Sequence, residues 1–120
     1  MLPEDLGPPP AVAYDLGAGS AATHGPAGLE PAQISHGMDP LLPRCGACAE
    51  ATTDDQGHGP HGRVTVRLRI RGDGRPIAAR VSGGGGPPEF ITCVRRVVAS
   101  ARFDHFGGPD VFATWGFDVN

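Results

Sequence analysis

The stretch from Arg63 to Ser82 constrains the fold most strongly, because hydrophobic residues alternate with polar ones along two consecutive runs. The alternating hydrophobic residues are Val64, Val66, Leu68, Ile70, Ile77, Ala79 and Val81. A period of two is typical of strands that place one face on a core and the other in water. Gly72-Asp73-Gly74 separates the runs and suits a tight reversal. The sequence therefore predicts a β-hairpin, which needs a third strand or a helix on its apolar face.

A long helix is predicted after the hairpin. Pro87-Pro88-Glu89 offers a rigid proline and an acidic residue for its first turn. Apolar residues follow at i, i+4, i+7 and i+11, namely Phe90, Val94, Val97 and Ala101. This spacing predicts one apolar stripe, which we expect to lie on the hairpin.

A short helix before the hairpin and a strand at the end of the chain complete the predicted fold. Asp39 is the expected N-cap of the short helix, with Pro40 at its first position. Residues 111–119 alternate again, and we expect Val111, Ala113, Trp115, Phe117 and Val119 to face the long helix. The predicted fold class is α+β: a small antiparallel three-stranded sheet, made of the hairpin and the C-terminal strand, covered by one long and one short helix.

The two halves of the 120-residue chain differ in composition. Residues 1–60 hold nine of the thirteen Pro and one Arg against eight acidic residues, whereas residues 61–120 hold nine Arg against five. Residues 1–37 mix Pro, Gly and Ala without a period that would bury a face. We therefore predict a flexible arm over residues 1–37 and one domain over residues 38–120.

The basic second half does not indicate a nucleic-acid surface. Arg67, Arg69 and Arg71 fall on the solvent side of a strand, where charge also blocks edge-to-edge aggregation. The chain contains no Lys, and an Arg-for-Lys bias fits a GC-rich genome better than a phosphate-binding stripe. We expect no nucleic-acid partner.

The three cysteines allow several interpretations. Cys45 and Cys48 lie on the short helix, and Cys93 lies on the inward stripe of the long one. One of the first two can therefore staple the helices through a disulfide with Cys93; we favour Cys45, with Cys48 as the alternative. Three buried thiols that pack as small apolar residues are a further interpretation.

Metal or redox chemistry at Cys45-Gly46-Ala47-Cys48 is the main rival hypothesis. With His58 and His61, this motif gives C-x2-C-x9-H-x2-H, whose histidine spacing is shorter than that of usual zinc fingers. A thioredoxin-type pair requires a preceding strand, and none is predicted. No serine or phosphate-loop motif indicates catalysis. We expect no enzyme activity, cofactor, metal or small-molecule substrate, and keep as the alternative function a small intracellular metal-binding or redox module.

Several motifs together resemble the TonB C-terminal-like domain, in the variant found in TonB-like and gliding-motility-associated envelope proteins. These are the hairpin run from Gly62 to Val81, Phe-Ile-Thr-Cys-Val from Phe90, Ala-Arg-Phe from Ala101, and Gly-Phe-Asp-Val from Gly116. The resemblance covers about residues 38–120. This family usually has proline after the Ala-Arg-Phe phenylalanine, and Asp104 stands there in this chain.

The resemblance implies a non-catalytic protein-interaction module of the cell envelope. TonB transmits force from an inner-membrane motor to outer-membrane receptors by accepting an extended receptor segment at a sheet edge, in the service of transport. By this resemblance, the partner-binding edge is the third strand, where the site residues are Val111, Phe112, Ala113, Thr114, Trp115, Gly116 and Phe117. A protein segment of the envelope or outer membrane is the expected partner, and two copies can also pair their edges as a homodimer.

The expected location depends on the ends of the chain. The N-terminus lacks a basic region followed by an apolar run, and no segment approaches the ~18 apolar residues of a membrane span. We expect the periplasm or cell envelope if an anchor or signal is missing from this chain, and the cytoplasm otherwise.

Overall fold

The computed structural model describes residues 2–8, 13–15 and 31–119. Its elements are β1 (Ala13–Asp15), α1 (Pro31–Met38), a 3-10 turn (Asp39–Leu41), α2 (Leu42–Ala51), β2 (Gly62–Ile70), β3 (Pro76–Gly83), α3 (Pro88–Val98) and β4 (Val111–Val119). None of the helices in these ranges is both long enough and apolar enough to traverse a bilayer.

The predicted α+β fold with an antiparallel three-stranded sheet is confirmed. β2 pairs antiparallel with β3 on one side and with β4 on the other. The strand order is β1-β4-β2-β3, so the C-terminal strand lies beside the first strand of the hairpin, as predicted. β1 was not predicted, and it pairs parallel with β4.

One face of the sheet carries the core. The inward positions of β2 and α3 are almost fully buried, and Val64, Val66, Leu68, Ile70, Phe90, Val94 and Val98 are each 0% exposed. Alternate residues of β4 also enter this core, including Trp115 at 5% exposure. The period-two and helical patterns of the sequence therefore identify most of the core correctly.

A register shift alters the prediction for the return strand. The pairing slips between Arg69 and Ile70, so that Ile70 lies opposite Pro76. Pro76 is consequently buried, whereas Ile77, which we expected on the core face, is only half-buried and lies outside the core cluster. A bulge of this kind adds one residue to one strand and reverses the facing of its neighbours.

The helical segment before the hairpin is longer than predicted. α1 begins at Pro31, within the segment for which the sequence predicted a flexible arm, and it places Ile34 and Met38 in the core at 0% exposure. Asp39 does not cap a helix: it starts the 3-10 turn, and its carboxylate accepts a hydrogen bond from the Trp115 indole Nε1 at 3.3 Å. The Asp39 carboxylate thus binds the Trp115 indole instead of capping a helix.

The hairpin turn supports the segment that follows α3. The Phe103 amide donates to the Gly74 carbonyl at 2.9 Å, and the Phe106 amide donates to the Gly72 carbonyl at 3.0 Å. Gly74 has a φ of +88°, and a side chain there would also collide with the Phe103 backbone. Glycine at this position is therefore required both by the turn and by the close approach of the chain.

We expect Gly74→Ala to lower the free energy of unfolding by roughly 1–3 kcal/mol, because alanine rarely adopts this positive φ. Urea unfolding monitored by Trp115 fluorescence measures the change. Gly46→Ala is the matched control, since Gly46 lies inside α2 and a Cβ added there would meet no atom within 4 Å. It should stabilise the chain by up to ~1 kcal/mol through helix propensity. Equal effects of the two changes would contradict this account.

Candidate functional site

A disulfide joins the two helices that cover the sheet. Cys48 of α2 is bonded to Cys93 of α3, with Cα atoms 5.7 Å apart and a sequence separation of 45. The predicted helix-to-helix staple is therefore present. The preferred partner was wrong: Cys48 makes the bond, and Cys45 is free. Closing a loop of this length corresponds to ~4 kcal/mol on the loop-entropy model.

Cys45 instead serves as a core residue. It lies one turn before Cys48 in α2, at 0% exposure, and belongs to the main apolar cluster. Burial raises the pKa of its thiol from 9.0 to about 11, against the smaller opposing effect of the Arg44 charge. A buried thiol of this kind stays protonated and is a poor nucleophile or metal ligand at neutral pH.

The raised pKa of Cys45 predicts a loss of stability in alkali. Between pH 9.0 and about 11 the unfolded chain ionises this thiol while the folded chain keeps its proton, so the free energy of unfolding falls as pH rises. Urea unfolding at a series of pH values measures this slope. Cys45→Ala should flatten it over the same window. An equal pH dependence of the free energy of unfolding in the wild type and in Cys45→Ala would show that Cys45 does not cause the loss of stability.

The alternative metal or redox site at Cys45 and Cys48 is not assembled. Cys48 is committed to the disulfide, so it has no thiolate to offer a metal. His58 and His61 line a separate open cleft of about 680 Å³ beside Pro60. In residues 2–8, 13–15 and 31–119, no group of three or more His, Cys, Asp or Glu side chains is placed to hold a metal ion.

A hydrogen bond at the β3 edge of the sheet shows which residues of β4 point their backbone N–H and C=O groups outward. The Ala79 amide of β3 donates outward, to the Pro3 carbonyl, so its neighbours Ala78 and Arg80 direct their backbone groups toward β2. Their partners on β2 are Arg69 and Arg67. Because successive residues alternate, the even-numbered residues of β2 direct their backbone groups toward β4.

The same alternation continues into β4. Val66 pairs with Trp115 and Leu68 with Ala113, so the odd-numbered residues of β4 bond to β2. The outward N–H and C=O groups of this strand therefore belong to its even-numbered residues, Phe112, Thr114, Gly116 and Asp118.

This result divides the seven predicted site residues into two sets. Val111, Ala113, Trp115 and Phe117 are buried, and their backbone groups are used by β2. Phe112, Thr114 and Gly116 are half-buried, and they carry the outward backbone groups. An added strand can therefore bond only to the second set.

Part of the outward edge of the predicted partner-binding strand is already occupied by β1. β1 lies parallel to β4 over the pairs Ala13↔Phe112, Tyr14↔Ala113 and Asp15↔Thr114. Within residues 2–8, 13–15 and 31–119, no strand pairs with the outward groups of Gly116 and Asp118, which are called here the unpaired half of the edge.

Residues 2–8 and 13–15, here called the N-terminal strap, contact both edges of the sheet. At the β3 edge, the Pro3 carbonyl accepts from the Ala79 amide at 2.9 Å. Nearby, the guanidinium of Arg95 on α3 lies 3.1 Å from the Glu4 carboxylate and donates to the Leu2 carbonyl at 2.6 Å. At the other edge, β1 covers part of β4.

Arg69 holds the middle of the strap. Its Nη1 donates to the carbonyls of Leu6 and Pro8 at 2.9 and 2.7 Å, while its Nε donates to the Asp110 carboxylate at 2.9 Å. The guanidinium carbon also lies 5.4 Å from the ring centroid of Phe112. We expected this arginine to face solvent, but its side chain is only 20% exposed. A charged group on the open face of the sheet thus anchors the N-terminal segment.

Replacing Arg69 should loosen the strap. Arg69→Ala removes the donors to Leu6 and Pro8, so we expect the Ala79 amide, protected by Pro3, to exchange with deuterium at least about fivefold faster. Amide exchange followed by NMR measures this rate. Arg67→Ala is the control, because Arg67 is exposed on the same strand. Unchanged exchange at Ala79 in Arg69→Ala would show that the strap does not depend on this arginine.

A groove adjoins the unpaired half of β4. It lies between α2 and the end of β4, has a volume of about 340 Å³, and is called here the α2–β4 groove. Its lining includes Leu42, Gly46, Glu50, Thr53, Phe117 and Val119. Leu42 is 40% exposed and is the one large hydrophobic residue of the described ranges that is this exposed.

Sequence reasoning missed the strap and the groove, but it could have found α1. Buried residues of α1, the 3-10 turn and α2 follow one stripe at i, i+4, i+7, i+11 and i+14, namely Ile34, Met38, Leu41, Cys45 and Cys48. Asp39 and Pro40 were interpreted as the start of the short helix, and Gly37 is typical of a helix break, so the helical spacing was not extended back to Ile34. The strap has no comparable periodic signal, since its contacts use backbone carbonyls.

Comparisons with protein-family models, with curated proteins and with solved structures gave no significant match to this chain.

Proposed function

We propose that this chain is a non-catalytic protein-interaction module of the cell envelope, similar to the TonB C-terminal-like domain, which binds an extended segment of a partner protein at the outward edge of β4. The observation that carries the proposal is the pairing of β1 with β4. It supports strand addition because a short extended segment already occupies Phe112–Thr114 of this edge, and the outward groups of Gly116 and Asp118 continue it.

The chemistry of this edge favours backbone recognition. The odd-numbered side chains of β4 are buried, so a partner meets mainly the outward amide and carbonyl groups and the half-buried even-numbered residues. Main-chain hydrogen bonds would supply affinity, while neighbouring side chains would supply specificity.

The disulfide supports a location in an oxidising compartment. Structural disulfides such as Cys48–Cys93 persist in secreted and periplasmic proteins and are rare in the cytosol. The same bond disfavours the rival metal or redox function, which needs Cys48 as a free thiolate. The periplasm or cell envelope is therefore the location that we propose.

The matched pair Gly116→Pro and Gly116→Ala tests this proposal. Proline removes the outward N–H of residue 116 and leaves the β2–β4 ladder intact, because that ladder uses the odd-numbered residues. We expect capture of the partner from an envelope extract to fall roughly five- to tenfold, the effect of one lost backbone hydrogen bond with the added bulk of the ring.

Gly116→Ala keeps the N–H and should bind as the wild type does. The Cβ that it adds would meet only the far end of the flexible Arg63 side chain, at 2.8 Å from Nη2, and that side chain can move. Circular dichroism on both variants verifies that the sheet is retained. Equal capture by the two variants would argue against a backbone-mediated interface.

A further inference from the structure

The α2–β4 groove has the shape and position of a pocket for one side chain of an added strand. It lies directly beside residues 117–119 of β4, on the core side of the sheet, where Phe117 and Val119 form one wall. Leu42 at the start of α2 contributes exposed apolar surface to the opposite wall. An apolar group entering the groove would remove this surface from water, which is favourable in proportion to the area covered.

We propose that the groove receives an apolar side chain of the segment that adds to β4. We propose further that Glu50 selects a Lys or Arg in that segment, two positions away from this apolar residue. This inference rests on the proposed function, because the segment must pair with β4 to reach the groove. It goes further by specifying the partner chemistry: an extended peptide with an apolar residue and a basic residue on the same face.

The position of the groove follows from strand geometry. Side chains of a strand added at the outward edge would alternate between the two faces of the sheet, like those of β4. Those on the core face would lie beside Phe117 and Val119 and point toward α2. Because β1 occupies Phe112–Thr114 of the same edge, the groove is continuous with a surface that already accepts an extended segment.

The charge of the groove favours a basic neighbour. Its lining contains two carboxylates, Glu50 and Asp118, and no Lys or Arg. Asp118 lies 3.5 Å from the guanidinium of Arg63, so its charge is partly offset. Among the described residues, no basic side chain forms an ion pair with Glu50. Residues i and i+2 of a strand share a face, which sets the spacing of two between the apolar and basic residues.

Gly46 provides a variant that fills the groove without harming the fold. It is an exposed residue of α2 that lines the groove, and a Cβ placed there meets no atom within 4 Å. Gly46→Leu would therefore project an aliphatic side chain into the space while improving helix propensity. Loss of binding in this variant cannot be attributed to unfolding if its urea midpoint is at or above that of the wild type.

The test selects binders from a bead-displayed library of random octapeptides, blocked at both ends, using the full chain with its disulfide formed. We expect the selected peptides to share an apolar residue with Lys or Arg two positions away. For the best peptide, fluorescence anisotropy should give about tenfold weaker binding to Gly46→Leu than to Gly46→Ala. Glu50→Gln should abolish the enrichment of Lys and Arg while leaving the apolar preference.

Several results would overturn the inference. Peptides that bind Gly46→Leu as tightly as Gly46→Ala would show that no side chain enters the groove. A lower urea midpoint of Gly46→Leu together with no peptide binding would show that the chain's own residues fill it. A wild-type dimer that Gly46→Leu converts to a monomer, seen by sedimentation velocity, would identify a second copy as the occupant.

The Gly116 pair separates failure of this inference from failure of the proposed function. Peptides that lose affinity for Gly116→Pro but not for Gly46→Leu would support strand addition and refute the groove. Peptides that bind equally to Gly116→Pro and Gly116→Ala would count against strand addition itself, and with it against the groove. If no peptide is selected by any form of the chain, both ideas fail.

Discussion

The antiparallel pairing of β4 with β2 is the interaction on which the rest of the structure depends. A two-stranded hairpin buries too little surface to be stable alone. β4 adds a third strand whose inward residues, including Trp115 and Phe117, extend the core beneath the helices. The same pairing fixes which backbone groups of β4 face outward. The geometry of the candidate site is thus a direct consequence of the contact that completes the fold.

The N-terminal strap covers parts of both edges of the open sheet. A small open sheet has two edges with unpaired backbone groups, which invite aggregation unless they are covered. The strap covers both in part: Pro3 accepts the Ala79 amide at the β3 edge, and β1 pairs with Phe112–Thr114 at the other. Among the described residues, the unpaired half of β4 has no covering strand, and it adjoins the α2–β4 groove.

Sequence patterns predicted the parts of the fold that depend on burial alone. Alternation identified three strands, and the i, i+4, i+7 stripe identified α3, because both periods follow directly from backbone geometry. Ile77 was misassigned because a bulge between Arg69 and Ile70 changes the facing of β3, and no local signal marks that shift. The disulfide was expected between the two helices, yet the choice of Cys48 over Cys45 depends on how α2 is rotated against α3, which spacing does not specify.

The sequence by itself determined the α+β class, the position of the hairpin, and the inward faces of β4 and α3. These follow from periodic burial and from residue chemistry that act within one element. Only the tertiary structure decided that Arg69 anchors the strap, that β1 occupies part of the β4 edge, and that Gly116 and Asp118 direct their backbone groups outward. Those features arise from backbone hydrogen bonds and packing between residues distant in the chain, for which side-chain identity leaves no periodic trace.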